Sequence, residues 1–92
     1  MPPAGELHAL GIDVGISGVR AAVTRADGTL AGTARRAHER AIRSPGVAEH
    51  DPQDWLDGMR ETARRARAGA GSPPIGAVGI AALGPAPLLV DA

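Results

Sequence analysis

The chain has 92 residues, with ten Arg balanced by ten acidic residues, no Lys and no Cys. That length bounds it to one small domain, and the missing thiols exclude disulfides, a thiol nucleophile and Cys-ligated zinc. Zero net charge and a single aromatic residue, Trp55, argue against nonspecific nucleic-acid binding and exclude a base-stacking platform.

Met1-Pro2-Pro3-Ala4-Gly5-Glu6 predicts a disordered leader over residues 1–6. It has neither a basic region nor a long apolar run, so it is no signal peptide, and no window reaches a membrane-spanning length. A cytoplasmic protein with no membrane partner is the default expectation. Leu7 to Val14 is the first predicted strand. Leu10, Ile12 and Val14 share one face, while Ala9, Gly11 and Asp13 alternate onto the other. A tight turn follows, Gly15-Ile16-Ser17-Gly18, and Val19 to Arg25 forms the second strand. Gly15 and Gly18 suit dihedrals closed to other residues. Their N–H groups fit a small anion-binding concavity, with Arg20 close to Asp13 across the hairpin. The chemistry suggested is a polyphosphate held by amides, a hydroxyl and a cation, with Asp13 beside its metal ion. The same Gly-x-Asp-x-Gly pattern also serves any strand–turn–strand.

Asp27-Gly28 is a strong hairpin signal, and Thr29 to Ala37 is a third strand with a polar outer half. His38 to His50 reads as a loop with a turn at Pro45-Gly46. The basic run Arg35, Arg36, Arg40 and Arg43 reads first as a solvated edge and loop, and second as a substrate-anion site. Asp51, Pro52 and Asp54 open a helix at N-cap, N1 and N3. Trp55, Met59, Ala63 and Ala66 would face the sheet. Gly69, Gly71, Pro73 and Pro74 end it. Ile75 to Ala81 is a short strand placed to run parallel to the first, and Leu88 to Val90 is a further apolar strand after a Gly-Pro break. The pattern is α/β: a three-stranded antiparallel meander, one helix, a parallel strand and a further short strand. Nineteen alanines make a core of small side chains, so stability is expected to be marginal.

Gly11-Ile12-Asp13-Val14-Gly15, Ser17, Arg20, Asp27-Gly28, Gly46, Glu49-His50-Asp51-Pro52 and Ala77-Val78-Gly79-Ile80 resemble, in order and spacing, the N-terminus of FGGY carbohydrate kinases. That family belongs to the sugar kinase, heat-shock chaperone and actin superfamily. The resemblance covers residues 7 to 91 and implies part of a ribonuclease H-like (actin-like ATPase) fold. It implies ATP and magnesium as cofactors and a sugar or polyol as phosphoryl acceptor. Carried over, Asp13 would organise magnesium through water. Gly15, Ser17 and Gly18 would lie near the terminal phosphates, and Arg20 would help hold them. The Glu49-His50-Asp51-Pro52 segment would cap and position the first helix, with Glu49 facing the cleft, and Leu83, Gly84 and Pro85 would stand on the sugar side.

The chain departs from the family pattern in three places. Ile16 replaces the phosphate-loop threonine, Val47 replaces an aromatic residue, and Ala82-Leu83-Gly84-Pro85 replaces polar sugar-contacting residues. Family members are also much longer, with a general-base aspartate, a second phosphate loop and an adenine pocket in the remainder. Residues 7–92 therefore read as an incomplete N-terminal half of the kinase N-terminal domain. That fragment is expected to be inactive alone and to need the rest of the kinase chain as partner. Two other readings stand beside it. One is a ribonuclease H-like metal-dependent nuclease or resolvase, for which Asp91 is the only acid after Glu61. The other is a non-catalytic truncated remnant exposing a sheet edge.

Overall fold

The computed structural model describes residues 6–38, 40–44 and 47–82. Strands β1 (His8–Val14), β2 (Gly18–Thr24) and β3 (Leu30–Ala37) form the expected antiparallel meander. Helix α1 (Pro52–Gly69) follows a short antiparallel pair, β4 (Arg40–Ser44) and β5 (Val47–His50), and β6 (Ile75–Ala82) then runs parallel to β1. The four-stranded order is β3-β2-β1-β6, with β4 and β5 in a separate two-stranded sheet. The predicted leader (residues 1–5 of it), the Pro45-Gly46 turn and the strand at Leu88 to Val90 lie outside the described residues.

One expectation is corrected. His38 to His50 is not a loop throughout, because Arg40 pairs with His50, Ala41 with Glu49 and Ile42 with Ala48. Strands of five and four residues, each with one β-branched apolar residue, are too short for a period of two to show in the sequence.

The β2–β3 turn follows from its residues. Gly28 adopts φ +87°, open to it for want of a Cβ, and its amide donates to the Arg25 carbonyl at 2.9 Å. Asp27 Oδ1 accepts from the Thr29 amide at 2.9 Å and from its hydroxyl at 2.7 Å.

The helix begins where its sequence says. Asp51 Oδ1 accepts from the Gln53 amide at 2.9 Å, and Pro52 occupies the first turn, where no amide donor is needed. At the other end the Ser72 amide donates to the Arg67 carbonyl and the Gly71 amide to that of Ala68. These two bonds, with Gly71 at φ +88°, make a Schellman motif.

The core is small and lies on one side of the sheet. Ile12, Val14, Val19, Ala21 and Val23 are buried beneath the helix with Ala66, and Trp55, Met59 and Ala63 pack around them. The helix rests chiefly on β2 and β3 and approaches them very closely. A Cβ on Gly32 would overlap the Ala66 carbonyl, and one on Gly58 would stand 3.1 Å from Val19 Cγ2. The buried Thr62 hydroxyl satisfies itself on the Gly58 carbonyl at 2.8 Å. Strand β6 receives no such cover among the described residues, and Val78 and Ile80 are each 59 % exposed. Val78 and Ile80 stand on the helix side with their partners Leu10 and Ile12. The opposite face, where Gly11, Asp13, Arg20, Thr33, Arg35, Gly79 and Ala81 are exposed, is open among the described residues and carries the polar residues of β1 and β2.

Candidate functional site

The period of two along β1 decides what faces this open side. Ile12 and Val14 point into the core, so Gly11 and Asp13 point away from it. Asp13 is the Cα partner of Arg20 on β2, as the hairpin spacing predicts, and of Ala81 on β6. Arg20 is in turn the partner of Arg35 on β3. Arg35, Arg20, Asp13 and Ala81 therefore form one row across four strands. The three charged members are all exposed. Among the described residues none of the three has an ion-pair partner within 4.0 Å.

Beside this row lies the β1–β2 turn. The Gly15 amide donates to the Gly18 carbonyl at 2.9 Å, which closes the turn and removes that amide from any anion site. The glycines do not act as their dihedrals suggested. Gly15 and Gly18 both lack positive φ. Gly18 is needed for room: a Cβ there would stand 2.6 Å from the Arg36 carbonyl on β3. At Gly15 a Cβ would make an ordinary contact, 3.5 Å from the Gly18 carbonyl. The turn amides that engage no other described residue are those of Ile16 and Ser17. Ser17 keeps its side chain exposed, and the Ile16 side chain is 57 % exposed.

Asp13, Gly15, Ser17, Gly18, Arg20 and Arg35 line a depression of about 50 Å³. About 10–15 Å³ of such space holds one water, so the depression admits a group the size of a few waters and not a whole nucleotide. A wider, mostly apolar groove of about 840 Å³ continues from Asp13 and Arg20 across the open sheet face, past Gly11 and Gly79. The small depression holds the polar chemistry, and the groove leaves the adjacent sheet face accessible.

Two residues shape this turn in ways the sequence did not reveal: His38, which it did not single out, and Arg36, which it placed in a solvated basic edge. His38 is buried, 2 % exposed in its side chain, and its Nε2 stands 2.9 Å from the Gly15 carbonyl oxygen. A carbonyl only accepts, so Nε2 carries the hydrogen. Its own amide donates to the Ser17 carbonyl at 2.9 Å, so His38 holds the turn at both ends. On its other side Nδ1 lies 3.9 Å from Asp54 Oδ2, and the ring meets Trp55 at a centroid distance of 5.7 Å. Arg36, on the helix face of β3, contacts Asp54 at 3.0 Å and Glu61 at 3.1 Å. The turn is thereby braced against the first turns of α1. A lone His amid a basic run gives no such signal, because its partner is 23 residues away.

Of the other expected residues, Glu49 lies on β5 opposite Ala41. Leu83, Gly84 and Pro85 lie outside the described residues. Among the described residues no group of three or more His, Asp or Glu side chains converges as a metal cage. Magnesium usually keeps several waters and binds through one or two carboxylates plus substrate phosphates. Among the described residues Asp13 is a lone exposed carboxylate on this face, which fits a magnesium ion that arrives with a polyphosphate. It is also a poor match to a nuclease, which needs several carboxylates around two metals.

Comparison with known proteins identifies the fold and the family. The sequence has no match among curated proteins. The structure is similar to the crystal structure of xylulose kinase from Rhodospirillum rubrum, with a TM-score of 0.76 and 25% identity, over 85% of this chain and 16% of that one. It is similar also to a xyloylose kinase from Brucella ovis, with a TM-score of 0.73 and 27% identity, over 82% of this chain and 16% of that one. The chain therefore spans less than a fifth of the kinases it matches. Its mixed sheet and single helix are those of the N-terminal domain of sugar kinases with the actin-like ATPase fold. Residues 8–92 match the N-terminal domain of the FGGY family of carbohydrate kinases, and the chain belongs to that family.

Proposed function

We propose that this chain is the phosphate-binding opening segment of an ATP-dependent carbohydrate kinase. Such a kinase transfers the ATP γ-phosphoryl group to a sugar or polyol hydroxyl. The observation that carries the reading is the position of Asp13. It stands at the end of β1 on the open sheet face, one strand from Arg20 and lining one depression with Gly15, Ser17 and Gly18. The xylulose kinases it resembles make a ketose the first substrate to try.

Each residue has a distinct task. The Ser17 hydroxyl and the Ile16 and Ser17 amides donate to terminal phosphate oxygens. Arg20 offsets phosphate charge with a guanidinium fork matched to phosphate oxygens. Asp13 would hold magnesium through water, and that ion would supply charge neutralisation to the polyphosphate. Glu49 and the Leu83-Gly84-Pro85 segment belong to the acceptor side. Phosphoryl transfer needs in-line positioning and charge neutralisation from several sides. These residues supply one side, so the chain by itself is inactive and works with the remainder of a longer kinase.

Thermal unfolding with and without ATP and magnesium tests this. A ligand that binds only the folded state at ten times its Kd stabilises by about 1.4 kcal/mol. The expected result is a rise in Tm that requires both ATP and magnesium and is lost in Asp13→Asn. An unchanged Tm, or an equal rise in Asp13→Asn, contradicts it.

A further inference from the structure

The row Arg35–Arg20–Asp13 contains an arrangement that folding alone does not explain. Arg20 and Arg35 are direct cross-strand partners on the same face. Neighbouring strands lie about 4.8 Å apart, and like charges set opposite each other destabilise a sheet. Asp13 flanks Arg20 from the other side, but among the described residues it makes no ion pair within 4.0 Å. One acid thus stands beside two bases, and the row keeps a net positive charge.

The adjacent residue shows that the fold readily pairs an arginine when it needs one. Arg36 points to the helix and meets both Asp54 and Glu61. Arg65 is similarly engaged, donating to the Arg35 carbonyl at 3.1 Å with Glu61 3.9 Å away. Arg35 differs from both. It is exposed, has no ion-pair partner among the described residues, and lines the depression that also contains Gly15, Ser17 and Gly18. The same turn carries Ile16, which has no hydroxyl to give an anion.

We propose that Arg35 is a second anion-binding cation of this site, gripping the polyphosphate of a nucleotide together with Arg20. The inference rests on the phosphate-binding reading of the Asp13 turn and adds to it a residue from a different strand. An anion between two guanidiniums turns their mutual repulsion into attraction. Each fork can engage phosphate oxygens bidentately. Arg35 thus supplies from β3 an interaction that the turn itself, with Ile16, does not.

Isothermal titration of the chain with Mg-ATP at low and raised salt is the test. It compares the unaltered protein, Arg35→Gln, Arg35→Lys and Arg60→Gln. Arg60 is an exposed helix residue that serves as the charge control. The expected result is an affinity loss of about fivefold in Arg35→Gln, partial rescue in Arg35→Lys and no change in Arg60→Gln. Binding should also lose part of its salt dependence in Arg35→Gln, since one screened contact is gone. If Arg35→Gln binds as Arg60→Gln does, this inference is overturned while the reading of the Asp13 turn survives. If the unaltered chain does not bind Mg-ATP at all, both fall together.

Discussion

The His38 imidazole donates from Nε2 to the Gly15 carbonyl oxygen across 2.9 Å, tying the end of β3 to the turn that follows β1. The ring is buried, so the bond is shielded from water and the carbonyl depends on it. In His38→Leu the volume is roughly kept and the donor is lost. The expected cost is about 1–3 kcal/mol, with amide exchange accelerated at Gly15 and residue 38, whose amides close the turn, more than elsewhere in the sheet. His38→Gln keeps an N–H close to the Nε2 position and should restore much of the protection. Denaturant unfolding and site-resolved hydrogen exchange read both effects. Equal exchange at the turn in all three proteins contradicts the bracing role.

Gly32 should be among the least replaceable residues of the sheet. A Cβ there meets the helix backbone at Ala66 and at the Ala70 amide, 2.8 Å away, so a flexible side chain cannot yield to admit it. Gly32→Ala should destabilise by about 1–3 kcal/mol as the helix is pushed off β3. Gly69, by contrast, has nothing within 4 Å of an added Cβ and ends the helix. Gly69→Ala should be neutral or stabilise by up to about 1 kcal/mol. Tm values that rank the two variants the other way would refute this packing account.

Arg36 joins β3 to α1 through Asp54 and Glu61, and Asp54 is the more buried partner, with 12 % of its side chain exposed. Removing the cation takes away a charge-assisted contact at 3.0 Å from a mostly buried carboxylate. Arg36→Ala should cost about 1–2 kcal/mol, most of it from the Asp54 contact. A double-mutant cycle with Asp54→Asn should show coupling well above one with Glu61→Gln. Equal coupling energies contradict the assignment.

The β2–β3 turn predicts a pH dependence of definite sign. The Thr29 hydroxyl and amide hydrogen-bond the Asp27 carboxylate, and with a smaller contribution from the Arg25 charge they hold its pKa below the usual 3.8. A group whose pKa is lowered on folding stabilises the fold above its unfolded pKa. That contribution disappears as pH falls through the folded value. Asp27→Asn should therefore differ from the parent near neutral pH and converge with it in strong acid. The urea midpoint measured across pH shows which occurs; a difference that grows on acidification has the wrong sign.

Much of this architecture could be read from residue order because its signals are local. Asp27-Gly28 sets a turn, Asp51-Pro52 starts a helix, and the alternation from Leu10 to Val14 assigns a face to Asp13. The pairing of Asp13 with Arg20 needs only the length of one hairpin. What escaped was nonlocal or too short. The His38–Gly15 bond spans 23 residues, and the burial of Gly58 becomes intelligible only once Val19 is found against it. Strands β4 and β5 carry too few apolar positions to display a period. The glycines of the β1–β2 turn were legible as a turn but not in their reasons. Gly18 makes room for the Arg36 carbonyl, and the Gly15 amide closes the turn.

The central claim is that the turn after β1 receives the phosphate end of a magnesium nucleotide. Backbone amide NMR of the chain during a Mg-ATP titration tests it most directly. The account predicts saturable shifts concentrated at Ile16, Ser17, Gly18 and Arg20, reduced when magnesium is omitted and lost in Asp13→Asn. Shifts that leave these residues unmoved, or that persist unchanged in Asp13→Asn, would contradict it.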